Sequence, residues 1–214
     1  TTDPDASDAT DTRISLAVPE NGYQLVTPIH TVAGFSEEEI CTVMTLAPKA
    51  DERMFWVNRL ESMVTEGTHH MNVMIGEFSF LDAFAGEGAS AAALGVPEGQ
   101  YPCSELATME LAYPIFPSQR DNQQITMPTG VAAPLTAPLM VIFSHHYVNA
   151  QPDPIDIQAI LNIETIASDE VTAVAGLVFD DIPDLEVPAG TDRVASRNCI
   201  FERDVEIALL STHI

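Results

Sequence analysis

Residues Leu139 to Asn149 read LMVIFSHHYVN: five apolar side chains, then Ser144, two histidines, Tyr147 and Val148. A continuous apolar run of this length, with Pro138 before it and Pro152 shortly after it, has the signature of a buried strand. Working outward, Ile155 to Ile166 (IDIQAILNIETI) alternates in part and sets Ile157, Ala159, Leu161 and Ile163 on one face. Upstream, Ile40 to Ala47 (ICTVMTLA) is strand-like, and so is Thr68 to Ile75 (THHMNVMI), which follows Gly67. Asp51 to Val64 fits two periods. Met54, Val57, Leu60 and Val64 have helical spacing, while Met54, Trp56, Asn58 and Leu60 alternate, and we read the segment as a strand. Short strands separated by Pro, Gly and Asp predict an all-β protein, an antiparallel β-sandwich.

The remaining segments are less regular. Residues 82 to 100 (DAFAGEGASAAALGVPEGQ) read as a long surface loop with at most a short Ala-rich helix. Proline recurs from Ala112 to Pro138, which predicts irregular connections rather than central strands. Further strands are expected over Val171 to Phe179 and from Asp204 to about Thr212, with a turn at Val187-Pro188-Ala189-Gly190 between them. There is no internal repeat.

Charge narrows the partners. The 214 residues include 8 basic and 32 acidic side chains, a net charge of −24. Nucleic acid needs clustered Lys and Arg, and the only lysine is Lys49, so nucleic acid is excluded as a partner. Anionic membrane surfaces are disfavoured for the same reason. No apolar run approaches the ~18–20 residues of a membrane-spanning helix. The opening TTDPDASDATDT has four Asp and no large apolar residue, so residues 1–13 are expected to be a disordered acidic tail. It reads as a tether at a mature N-terminus from which any export signal has gone. The acidity itself reads as a solvated shell, since no calcium-loop pattern closed by Glu is present.

Three cysteines (Cys41, Cys103 and Cys199) are too far apart for a CxxC motif. They are either three buried thiols or one disulfide and an orphan. Six histidines (His30, His69, His70, His145, His146 and His213) include two adjacent pairs, more than chance gives for this composition. Imidazole is the commonest metal ligand. Neighbours on a regular strand point to opposite faces, so both members of a pair reach one ion only at a bend, a bulge or a strand end. Otherwise one histidine of each pair faces the site and the other has a different role. The competing reading is half-buried strand histidines with ordinary hydrogen-bond partners. A nitrogen-rich ligand set suits copper, zinc, iron or nickel, not magnesium or calcium. No GxSxG elbow, phosphate loop or HExxH motif is present.

Glu39-Ile40-Cys41-Thr42, then Thr68-His69-His70-Met71, then His146-Tyr147 at the end of an apolar strand, resemble the copper type II, ascorbate-dependent monooxygenases. That family includes peptidylglycine α-hydroxylating monooxygenase and dopamine β-monooxygenase. Ala175-Gly176-Leu177, Val187-Pro188-Ala189-Gly190, Asn198-Cys199 and Ser211-Thr212-His213 look like the start of the family's second domain. The resemblance implies two jelly-roll-like β-domains, each holding one copper. For this chain it implies a first domain over residues 14–167 and the truncated beginning of a second over 168–214. It implies an electron-transfer copper on His69, His70 and His146, with His145 as the alternative to His146. His213 falls on the first ligand of the dioxygen-activating copper, whose other ligands would lie beyond Ile214. It also implies a Cys41–Cys103 disulfide, with Cys199 unpaired within this chain.

By this resemblance the chain is expected to be the copper-binding part of a secreted monooxygenase. The complete enzyme would hydroxylate a C–H bond with O2 and take electrons from ascorbate, while these 214 residues alone would bind copper without turning over. Two other readings stand beside it. One is a non-catalytic secreted β-sandwich of the same fold, serving as a surface or structural protein. The other is one piece of a split or processed protein, joined to a complementary C-terminal fragment or to itself through strands over 171–214. All three place the chain outside the cytoplasm, in the periplasm, at the cell surface or secreted.

Overall fold

A computed structural model describes residues 14–49, 53–76, 88–106, 112–178, 186–196, 198–201, 204–208 and 210. The expected acidic tail over 1–13, and His213, lie outside the described residues. The strands are β1 (Gly22–Val26), β2 (His30–Val32), β3 (Ser36–Leu46), β4 (Met54–Val64), β5 (Thr68–Gly76), β6 (Gly99–Pro102) and β7 (Ala112–Ser118). They continue with β8 (Asn122–Thr126), β9 (Val131–Thr136), β10 (Leu139–Asn149), β11 (Ile155–Ile157), β12 (Ala159–Ile166) and β13 (Ala173–Val174).

Two sheets pack face to face as an all-β sandwich. One has the order β6-β3-β10-β5-β7, and the other β1-β12-β4-β9-β13, with β8 also paired to β4. The small β2–β11 pair packs Val32 and Ile157 against Tyr147 of β10. Strand β10 lies at the centre of its sheet, antiparallel to β3 on one side and β5 on the other. A central strand is covered on both faces, which is why its sequence is an unbroken apolar run instead of an alternation. Leu139, Val141 and Phe143 point inward, against Leu60 and Val64 of β4 and Leu161 and Ile163 of β12, in one core cluster. Burial of a side chain of this size stabilises the fold by roughly 1.5–3 kcal/mol.

The outer face of the β10 sheet is divided. At one end Val43, Met74, Met140 and Ile142 are covered by Ala91 and Val96 from residues 88–106, forming a second apolar cluster. The Cys41–Cys103 disulfide fastens that cover to β3 across 62 positions of sequence. A cross-link of this kind is typically worth ~2–4 kcal/mol and forms in oxidising compartments. At the other end the outer face is open. Across β3, β10 and β5 the rows run Val43–Ile142–Met74, then Cys41–Ser144–Asn72, then Glu39–His146–His70. The disulfide therefore stands where the covered apolar rows give way to a polar, solvent-facing one.

Three expectations need correction. The proline-rich stretch from Ala112 to Pro138 is largely strand, forming β7, β8 and β9. Pro114 and Pro117 are tolerated because β7 is an edge strand, and Pro134 because β9 has only the two-residue β13 beyond it. The Ala-rich part of the 82–100 loop makes turns over residues 91–95, not a helix, and residues 82–87 lie outside the described set. Of the strands expected over 171–179 and 204–212, only β13 is present among the described residues. Ile207 and Leu210 are well exposed, and a strand without a partner has no ladder to hold it.

Among the described residues no helix is long and apolar enough to cross a membrane.

Candidate metal centre

The two histidine pairs sit on neighbouring strands but meet different backbones. On β10 the alternation is regular. His145 pairs with Ile40 and Met71 and is buried, while His146 pairs with Glu39 and His70 on the outer face. On β5 the register slips. His146 faces His70, but Tyr147 faces Thr68, so His69 is an extra residue in a β-bulge. Thr68 and Met71 both take part in contacts on the inner side, although they are three positions apart. On an unbroken strand an odd separation would put them on opposite faces. The bulge absorbs the difference and leaves both His69 and His70 on the outer side.

The result is a cluster of three imidazoles. One ring nitrogen from each of His69, His70 and His146 lies within 4.8 Å of the others. Ring centroids are 5.1 Å apart for His69–His70 and 4.9 Å for each of the other two pairs. Two nitrogens bound to one ion at ~2.0–2.1 Å stand at most about 4 Å apart, so the three rings must draw slightly closer to share one. The Nδ1 atoms of His69 and His70 are 3.0 Å apart, so one carries hydrogen and the other presents a bare lone pair. His146 donates through Nε2 to Glu37 Oε1 at 2.8 Å, which leaves its Nδ1 as the free ligand atom. Glu39 accepts a hydrogen bond from Ser144 Oγ at 2.6 Å in the adjoining row. The donor set fits a copper, zinc or other late transition ion.

His145 takes no part in the cluster. Its Nε2 lies 2.8 Å from Thr68 Oγ1 on the inner side of the sheet. Burial, and secondarily the neighbouring His30, His70 and His146, push its pKa from 6.5 down to about 4. It stands beside a small pocket lined by Thr27, His30, Thr42, Gln100 and Ile157. His30 is held apart by Glu38 Oε2 at 2.9 Å, and that hydrogen bond keeps the Glu38 carboxyl below its ordinary value.

The geometry thus brings together His69, His70 and His146 and places His145, the alternative ligand, on the opposite face. Cys41 and Cys103 are joined, as the resemblance implies, and Cys199 is free and exposed. Sequence reasoning passed over Glu37 and Thr68. Glu37 was findable in principle: it lies four positions before Cys41 on a strand, hence on the same face. Thr68 carried no such signal, because its role depends on the register slip.

The chain matches no protein-family model, and no curated protein matches it.

Proposed function

We propose that this chain is the copper-binding portion of an exported, ascorbate-dependent copper monooxygenase, and that His69, His70 and His146 hold its electron-transfer copper. The observation that carries the reading is the convergence of three imidazoles from two strands on one open face. The order of motifs around them, with a disulfide joining β3 to the segment beyond β6, agrees with the resemblance. Copper bound by three imidazoles supplies one-electron chemistry. The protein's own part is to fix the rings. Strand β10 holds His146, the β5 bulge turns His69 outward beside His70, and Glu37 orients the His146 ring from its far nitrogen. Neutral imidazole is the binding form, so acidification weakens the site. The acidic surface raises the local concentration of cations.

The rival is a non-catalytic sandwich. It is favoured by the contacts that His146 makes to Glu37 and His69 makes to His70, which give the rings partners within the protein itself. Titration of the whole chain with Cu(II), followed by electron spin resonance, separates the two. One equivalent bound with nitrogen hyperfine structure from several imidazoles supports the copper site. Unchanged affinity in His70→Ala and His146→Ala removes it.

A further inference from the structure

We infer that His145 is a positioning residue: acting through Thr68, it holds the β5 bulge that brings His69 to the outer face. The inference rests on the proposed metal centre and assigns a part to a histidine outside it. Thr68 Oγ1 lies 2.7 Å from the Thr65 carbonyl and 2.8 Å from His145 Nε2. A hydroxyl has one hydrogen, and a carbonyl only accepts. The hydroxyl hydrogen therefore goes to Thr65, and His145 must donate from Nε2. This fixes the His145 tautomer and aims its one N–H at Thr68 from inside the sandwich.

The neighbouring contacts point the same way. Tyr147 donates its hydroxyl to the Glu66 carbonyl at 3.0 Å. Gly67, at φ +85°, lets the turn pass so close that an added Cβ would lie 2.8 Å from that hydroxyl. His145 and Tyr147 are the inward residues on either side of His146. Together they tie the 65–68 turn to β10 one residue short of the regular register. Without the tie, continuing the His146–His70 pairing would set Tyr147 opposite His69 and turn that ring inward. The buried face of β10 thus determines which way a side chain on β5 points on the other face.

The test removes one oxygen. Thr68→Val keeps the branched shape and loses the hydroxyl, while Thr68→Ser keeps the hydroxyl. In the parent chain, His69→Ala is expected to lower Cu(II) affinity at least tenfold. In the Thr68→Val background the same change should matter less than twofold, while His70→Ala still costs at least tenfold. Thr68→Ser should behave as the parent. His145→Phe, which fills the site and donates nothing, should repeat the Thr68→Val result if that variant folds poorly. A full His69→Ala effect in both backgrounds overturns the inference. A metal-free readout keeps it separate from the copper reading: NMR contacts should show Tyr147 opposite Thr68 in the parent and opposite His69 in Thr68→Val. If the parent binds no copper but this exchange occurs, the metal centre fails and the positioning role stands. If Tyr147 stays opposite position 68 in both Thr68→Val and His145→Phe, the positioning role fails.

Discussion

Strands β5 and β10 each carry a His-His pair, and the pairs end in different places. On β10 a regular backbone splits the pair, sending His145 into the sandwich and His146 outward. On β5 a bulge keeps the pair together on one face. The same dipeptide therefore yields one outward imidazole from one strand and two from the other. Side-chain chemistry is equal in the two cases, and backbone register makes the difference.

The contrast can be tested at several strengths. The largest effect is expected from the outward rings. Replacing His70 and His146 together by Ala should lower Cu(II) affinity a thousandfold or more, about 4 kcal/mol, in a chelator competition assay. Next comes the inward ring. His145 binds its proton near pH 4 in the fold and near 6.5 when unfolded, so between these values the unfolded chain holds the extra proton. Stability should be unaffected by this group above about pH 6.5 and should fall as pH drops toward 4. The loss is on the order of 3 kcal/mol, and urea midpoints of the parent should show it against a flatter profile in His145→Gln.

Smaller effects probe the parts around the two pairs. Gly67→Ala forces a side chain into a left-handed conformation and against Tyr147, and should cost roughly 1–2 kcal/mol of thermal stability. Glu37→Gln should weaken copper binding about tenfold or less, roughly 1 kcal/mol, because the carboxylate is mostly exposed and partly screened. A Glu37→Gln change with no effect on affinity, but with the bound spectrum altered, would assign that carboxylate to ring orientation alone.

Most of the sandwich was legible because burial writes itself into residue order. The unbroken apolar run of β10 and the Ala159, Leu161 and Ile163 face of β12 marked strands that line the core. The ambiguous 54–64 segment also forms a strand, and a register shift between Val57 and Arg59 lets Phe55, Val57, Leu60 and Val64 all reach the core. The prolines of β7 and β9 misled because their cost depends on what lies beyond the strand, which is a property of the sheet and not of the segment. At the candidate site the two adjacent pairs pointed to imidazole ligation, and the set His69, His70 and His146 came from the resemblance. Ordinary alternation along β10 sets His145 apart from His146, whereas the slip that keeps His69 outward beside His70 belongs to the pairing of β5 with β10, and no local pattern announces it.

The disulfide has a practical consequence. Cys41 lies in the row between the covered apolar end of the outer face and the row that carries Glu39 and His146. A thiol reductant added during purification would cut the fastening of the 88–106 flap, baring Met74 and Ile142 two rows from the imidazoles. Preparations made that way, or expressed in a reducing cytosol, would aggregate through the apolar surface so bared. Metal content is best judged on material folded in an oxidising host and handled without free thiols.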